Sequence, residues 1–266
     1  MTKSKLKLLK EEFHKLKKKV SFLLSKEDTT RYNYLQNYLY FAHYPLFSFT
    51  ESVIMLCENS KFSAAKVLFR TLIEAHINII YYQLNNSNHK LALSAKESFN
   101  QRIKILKDLK GLIQKYKNLE SVDSTNLFNK EYLHKTEEWT QRQRQAIIKG
   151  NHLKENDTDL DLRSKAIRCD KEFNNNIEKG YFERMYTLQY RYLSPCSHLC
   201  IEGLQSFVDK KENGAYIFDD GDDKEELIAE AIGICVAFSK DLYENDVLIG
   251  KVIDEVSNVE NLLVVK

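Results

Sequence analysis

Two prolines, eight glycines and one tryptophan in 266 residues leave this chain few places to break. Proline and glycine are the main punctuation of turns, so their scarcity predicts long uninterrupted elements. No stretch holds a strict apolar–polar alternation beyond a few residues, and Leu, Lys, Glu, Ile and Ala patterns dominate. Apolar runs of bilayer length are missing too. The best candidates, "LIEAHINIIYY" and "IAEAIGICVAF", are short and each is interrupted by a charge. The start, "MTKSKLKLLKEEF", scatters lysines where a secretory leader needs an apolar stretch. Five cysteines, an odd number, argue against a disulfide framework and for a reducing cytoplasm. A cytoplasmic protein with no membrane partner is expected.

Several chemistries lack their signatures. There is no phosphate-cradling glycine loop, nucleophile elbow or dinucleotide fingerprint. Cys196, His198 and Cys200 sit close in sequence, but helical spacing sends the histidine away from the face shared by the cysteines. No second ligand pair follows at zinc spacing. "DDGDD" lacks the alternation of a calcium loop and reads as an acidic helix N-terminus. No metal and no cofactor are expected.

What is present is an ordinary globular share of hydrophobic residues, 43%, in helical periodicity. The fold class predicted is all-α, a multi-helix bundle with an N-terminal amphipathic helical arm at 1–26 and a single helical-bundle domain at 27–266. The net charge of +2 is unevenly spread. Residues 1–26 hold nine lysines against Glu11 and Glu12, so the rest is mildly acidic. The arm is either a solvated lysine face or a contact for nucleic acid. Its apolar positions Leu6, Leu9, Phe13, Leu16, Val20 and Leu23 form a heptad seam, suited to docking on its own body or on a second copy.

Asp28, Thr29 or Thr30 is a candidate cap for the next helix, and Pro45 is expected to kink or break it near Tyr44. Residues 61–84 are apolar on nearly every face, the mark of a central helix. Amphipathic helices are predicted at about 89–117 and 127–149, both with basic residues outward. The polar run 150–160 reads as an exposed loop. Short helices are expected near 161–169, 178–193 and from Ser194 to about Val208. "ENGAYIFDDGDD" reads as an irregular loop or short hairpin, and helices at 224–243 and 245–262 close the chain.

Two constellations carry possible chemistry. Arg70 and Glu74 stand one turn apart inside the most apolar helix, either as a structural ion pair or as the polar floor of a pocket. In "YRYLSPCSHLC", Ser194 suits an N-cap and Pro195 the first helical position. His198 then falls at the first turn, where unpaired amides favour a phosphate and a neutral imidazole. Arg191, ending the preceding helix, is in reach of the same phosphate. The pair suits RNA cleavage, with His198 as acid or base and Arg191 stabilising the crowded phosphate, each role being worth ~10²–10⁴ in rate.

"LFRTLIEAHINIIYY" followed by "YRYLSPCSH" resembles a bacterial helical family of unknown function with Arg-x3-Glu and Tyr-x3-Ser-x3-His motifs. In this sequence the pattern falls on Arg70, Glu74, Tyr190, Ser194 and His198. More distantly, Arg191 with six residues before His198 is similar to the signature of the HEPN ribonuclease superfamily. That resemblance implies a HEPN-like core, a homodimer with a composite site across a two-fold axis, and metal-independent cleavage of RNA. It also implies a place in a toxin or antiphage defence system, with a cognate antitoxin or regulatory partner. The position after the arginine, often small and polar in active members, is Tyr192 here. The expectation is therefore a ribonuclease using Arg191 and His198, with Arg70, Glu74, Tyr190 and Ser194 shaping the pocket. The alternative is a non-catalytic helical module that binds protein, nucleotide or nucleic acid around a structural polar network.

Overall fold

The computed structural model describes residues 2–116, 129–173, 180–191, 193, 208–210, 216–218, 224–248 and 252–263. They form a helical bundle with one small hairpin, in two compact units: residues 1–84 with 161–266, and residues 85–160.

In the first unit, α1 (Lys3–Leu24) buries Leu6, Leu9, Phe13, Leu16 and Val20, and ends the seam on Leu24. The seam docks on this same chain, against the two last helices, α8 (Lys224–Glu244) and α9 (Ile253–Leu263). Phe13 also stacks on Phe47 with ring centroids 5.8 Å apart. Burying such a side chain stabilises by about 1.5–3 kcal/mol. The lysines of α1 are spent partly on pairing: Lys10 with Glu58, Lys17 with Glu51, and Lys19 with Glu255 at 3.6 Å.

The second helix, α2 (Tyr34–Glu58), is capped by Asn33, not by Asp28, Thr29 or Thr30. Asn33 and Gln36 exchange side-chain and backbone hydrogen bonds as a reciprocal capping box. Asp28 instead caps the short 3₁₀ turn Thr29–Arg31. Pro45 does not end α2. It lies on the exposed side while Leu39 before it and Leu46 and Phe47 after it are all buried, so packing on both sides holds the helix through the missing hydrogen bond.

The central element is α3 (Phe62–Gln83), which has buried residues along its length from Phe62 to Tyr82 and is packed by α2, α8 and α6 (Leu162–Glu172). Asp170 of α6 accepts the backbone N–H groups of Phe182 (2.9 Å) and Glu183 (2.8 Å), which anchors the first turn of α7 (Tyr181–Arg184). Gly180 precedes it at φ +78°, a conformation that favours glycine. From α7 the chain continues as a π-helical stretch, Met185–Tyr190, packed on α3. Strands β1 (Val208–Lys210) and β2 (Tyr216–Phe218) pair antiparallel, Asp209 opposite Ile217.

The second unit is a helical pair, α4 (Ser87–Lys115) and α5 (Lys130–Gly150), with a thin core of Leu106, Ile113 and Leu133 against Leu109. The polar run 150–160 does more than cover the surface. Lys96, 1% exposed, donates to the carbonyls of Lys154 (2.9 Å), Glu155 (2.6 Å) and Asp157 (2.6 Å), so the loop is wound around a buried ammonium. None of the described helices is long and apolar enough to cross a membrane.

Candidate functional site

The π-helical stretch delivers Tyr190 to α3. Arg70 is half-buried and its Nη2 donates to the Tyr190 hydroxyl at 2.8 Å, with the guanidinium carbon 4.3 Å from the ring centroid. The hydroxyl in turn donates to Glu74 Oε2 at 3.4 Å. Glu74 itself is exposed, so the charges one turn apart on α3 are joined through a phenol at the surface of the bundle. Burial, and then the Glu74 carboxylate, raise the Tyr190 phenol above its ordinary value and keep it a donor. Tyr186 stacks beneath it, centroids 5.4 Å apart. Arg70 Nε remains buried without a partner among the described residues.

Arg70, Glu74 and Tyr190 are thus brought together, and Arg191 follows as an exposed side chain. Ser194 and His198 lie outside the described residues, as do Tyr192, Cys196 and Cys200. The other expected partners of that corner are therefore known only by their place in the sequence. Cys57, Cys169 and Cys235 are buried and in no disulfide among the described residues. Among the described residues no group of three His, Cys, Asp or Glu side chains is placed to hold a metal.

On the other side of the same helix pairing lies a cleft that the sequence reading missed. A cavity of about 460 Å³ opens between α3, α7 with its π-helical continuation, and α8. His76, Tyr181, Gln189 and Glu230 supply its polar groups. Gln189 Nε2 donates to Glu230 Oε1 at 2.8 Å. Burial, and next the neighbouring Glu226, push the Glu230 carboxyl up. Burial and then Glu230 push the Tyr181 phenol up. His76 is 5% exposed, its imidazole held down to about 4 by burial, and its Nδ1 has no partner. The signal was a histidine in the middle of "LIEAHINII", overshadowed by the charged pair Arg70 and Glu74 on the same helix.

Residues 36–216, most of the chain and including the Arg70–Tyr190 meeting, match the model of DUF5677, a family of unknown function. The chain belongs to this family. DUF5677 here spans α2 to the hairpin, so the matched region contains the whole second unit and the part of the first that carries the Tyr190 corner. No curated protein and no solved structure matches the chain.

Proposed function

We propose that the chain is a metal-independent ribonuclease of a toxin or antiphage defence system, built on a HEPN-like core and active as a homodimer. The observation that carries the reading is the clamping of Tyr190 between Arg70 and Glu74, which fixes the residue before Arg191 and leaves Arg191 in solvent. An exposed arginine on a rigid base suits a phosphate, because its planar fork is already oriented. His198 takes the proton of a ribose 2′-hydroxyl, whose oxygen attacks phosphorus. A 2′,3′-cyclic phosphate forms as the bond to the 5′ oxygen breaks. The same histidine of a second copy, protonated, supplies the leaving oxygen with its proton, and Arg191 balances the extra negative charge.

The test is RNA cleavage in EDTA from pH 5 to 9 by wild type, Arg191→Ala and His198→Ala. Cleavage by wild type that fails in both variants while they fold normally supports the reading. An inert wild-type dimer sinks it as an intrinsic activity.

A non-catalytic module that binds nucleic acid is favoured by one feature of the second unit. An open groove of about 980 Å³ on α4 and α5 is lined by Lys104, Lys107 and Arg142 against Glu138. Retarded migration of RNA without cleavage, sensitive to salt and lost on Lys104→Glu with Lys107→Glu, is its signature. A cognate antitoxin or regulatory partner belongs to the first reading and is sought by co-purification.

A further inference from the structure

The cleft of His76, Gln189 and Glu230 has the make-up of a ligand site independent of the Tyr190 corner. A second cavity of about 280 Å³ shares Phe69, Leu188, Gln189 and Glu230 with the first, so the two are halves of one cleft. Their combined size is in the range of small-ligand sites. Phe69, Met185, Leu188 and Ile234 give it apolar walls suited to a flat ring.

The polar groups in those walls face one another's unmet needs. No hydrogen bond reaches either nitrogen of His76 among the described residues, and Nδ1 is sealed from solvent. A buried orphan N–H is rarer and costlier than an orphan lone pair, so the proton belongs on Nε2, the ring edge left to meet the cleft. Gln189 gives one of its two amide N–H groups to Glu230, and its carbonyl oxygen remains to accept. One oxygen of Glu230 also remains to accept. The cleft therefore offers a donor and acceptors between apolar walls. Lys66, Arg184 and Lys224 oppose Glu226 and Glu230 around the rim, and these charges nearly cancel, so no strong field selects a charged ligand.

We infer that this cleft binds an uncharged flat heterocycle that presents a hydrogen-bond acceptor beside a donor, a nucleobase, either in a free nucleoside or in a single strand of RNA. The inference uses neither Arg191 nor His198 and stands or falls apart from the ribonuclease reading.

The probes are adenosine, guanosine, cytidine and uridine, together with short 2′-O-methylated RNA that no attack by a 2′-hydroxyl cleaves. Binding is read by saturation transfer and by titration. At least one probe is expected to bind, with affinity at least tenfold weaker in Ala237→Phe, which fills the cleft, and in His76→Leu. The second variant removes an orphan nitrogen, so its melting temperature should hold or rise while binding falls. A nucleoside that binds as well as the strand identifies a free-ligand site, and tighter binding of the strand identifies a base-reading site. The inference is overturned if no probe binds the wild type, or if binding is unchanged in both variants.

Discussion

The two units of this molecule are held by different forces. The first has an extensive apolar core, with about half of α3 and of α8 buried, and it adds sealed polar links such as Thr50 to Cys235 Sγ at 3.0 Å alongside ion pairs at its surface. The second buries few side chains and instead ties itself with charge. Lys110 pairs with Glu137, Arg144 with Glu155 and Asn100, and Lys96 with three carbonyls. Among the described residues, the buried polar atoms left without partners, on Arg70, His76 and Asp241, fall in the first unit. Each such group costs stability that the surrounding packing must offset, and such groups concentrate where ligands act.

The strongest way to break the comparison is in the apolar core. Phe238→Ala removes a fully buried ring from α8 and should cost about 3–5 kcal/mol, read as a shifted denaturation midpoint for probes in the first unit. Next is pH. Asp241 is buried, and burial raises its carboxyl to about 7, so the folded state holds a proton that the unfolded chain has released. The stability present below the ordinary carboxylate value is lost as pH rises through 7, by at most about 4 kcal/mol. His76 works in the opposite direction, since its depressed value removes stability as pH falls from 6.5 toward 4. Melting against pH should therefore show Asp241→Asn gaining over wild type at pH 8 and little difference at pH 4.

Lys96→Met tests the ionic unit. It strands three carbonyls and should cost about 3 kcal/mol, with amide exchange accelerating first over residues 85–160. Salt sharpens the same point, because 1 M NaCl screens Lys110–Glu137 and Arg144–Glu155 and should speed exchange over residues 85–160 more than over the buried turns of α3 and α8. The smallest effect is at the corner itself. Tyr190→Phe deletes one hydroxyl between Arg70 and Glu74 and should cost about 1 kcal/mol by thermal melting, while releasing the orientation of Arg191.

Periodicity made the helices legible. The seam of α1 and the central place of α3 follow from residue spacing, although α3 keeps Ala64, Thr71 and Glu74 exposed. The short hairpin is one of two readings of the segment from Glu212, and its first strand starts earlier, at Val208, where the sequence predicts a helix end. Arg70 and Glu74 were legible as charges that an apolar helix needs a reason to keep. Their connection through Tyr190 was less so, because a π-helical stretch shifts which side chains share a face and helical spacing does not announce it. Pro45 misled for a related reason: local propensity opposes a helix there, and tertiary packing overrides it. Lys96 looks in sequence like any solvated lysine, and only the loop sixty residues later gives it partners. His76 and Glu230 come from helices far apart in the chain, so no local pattern joins them.

The pairing of distant segments has a consequence for synthesis. Tyr32 donates to the carbonyl of Val247, Gln36 to that of Asn245, and α1 rests on α8 and α9. As the chain leaves the ribosome, α2 and α3 can pair early, but the apolar seam of α1 must wait for almost the whole polypeptide before α8 and α9 exist to cover it. Contacts that require the finished bundle form only when translation of that copy is nearly complete.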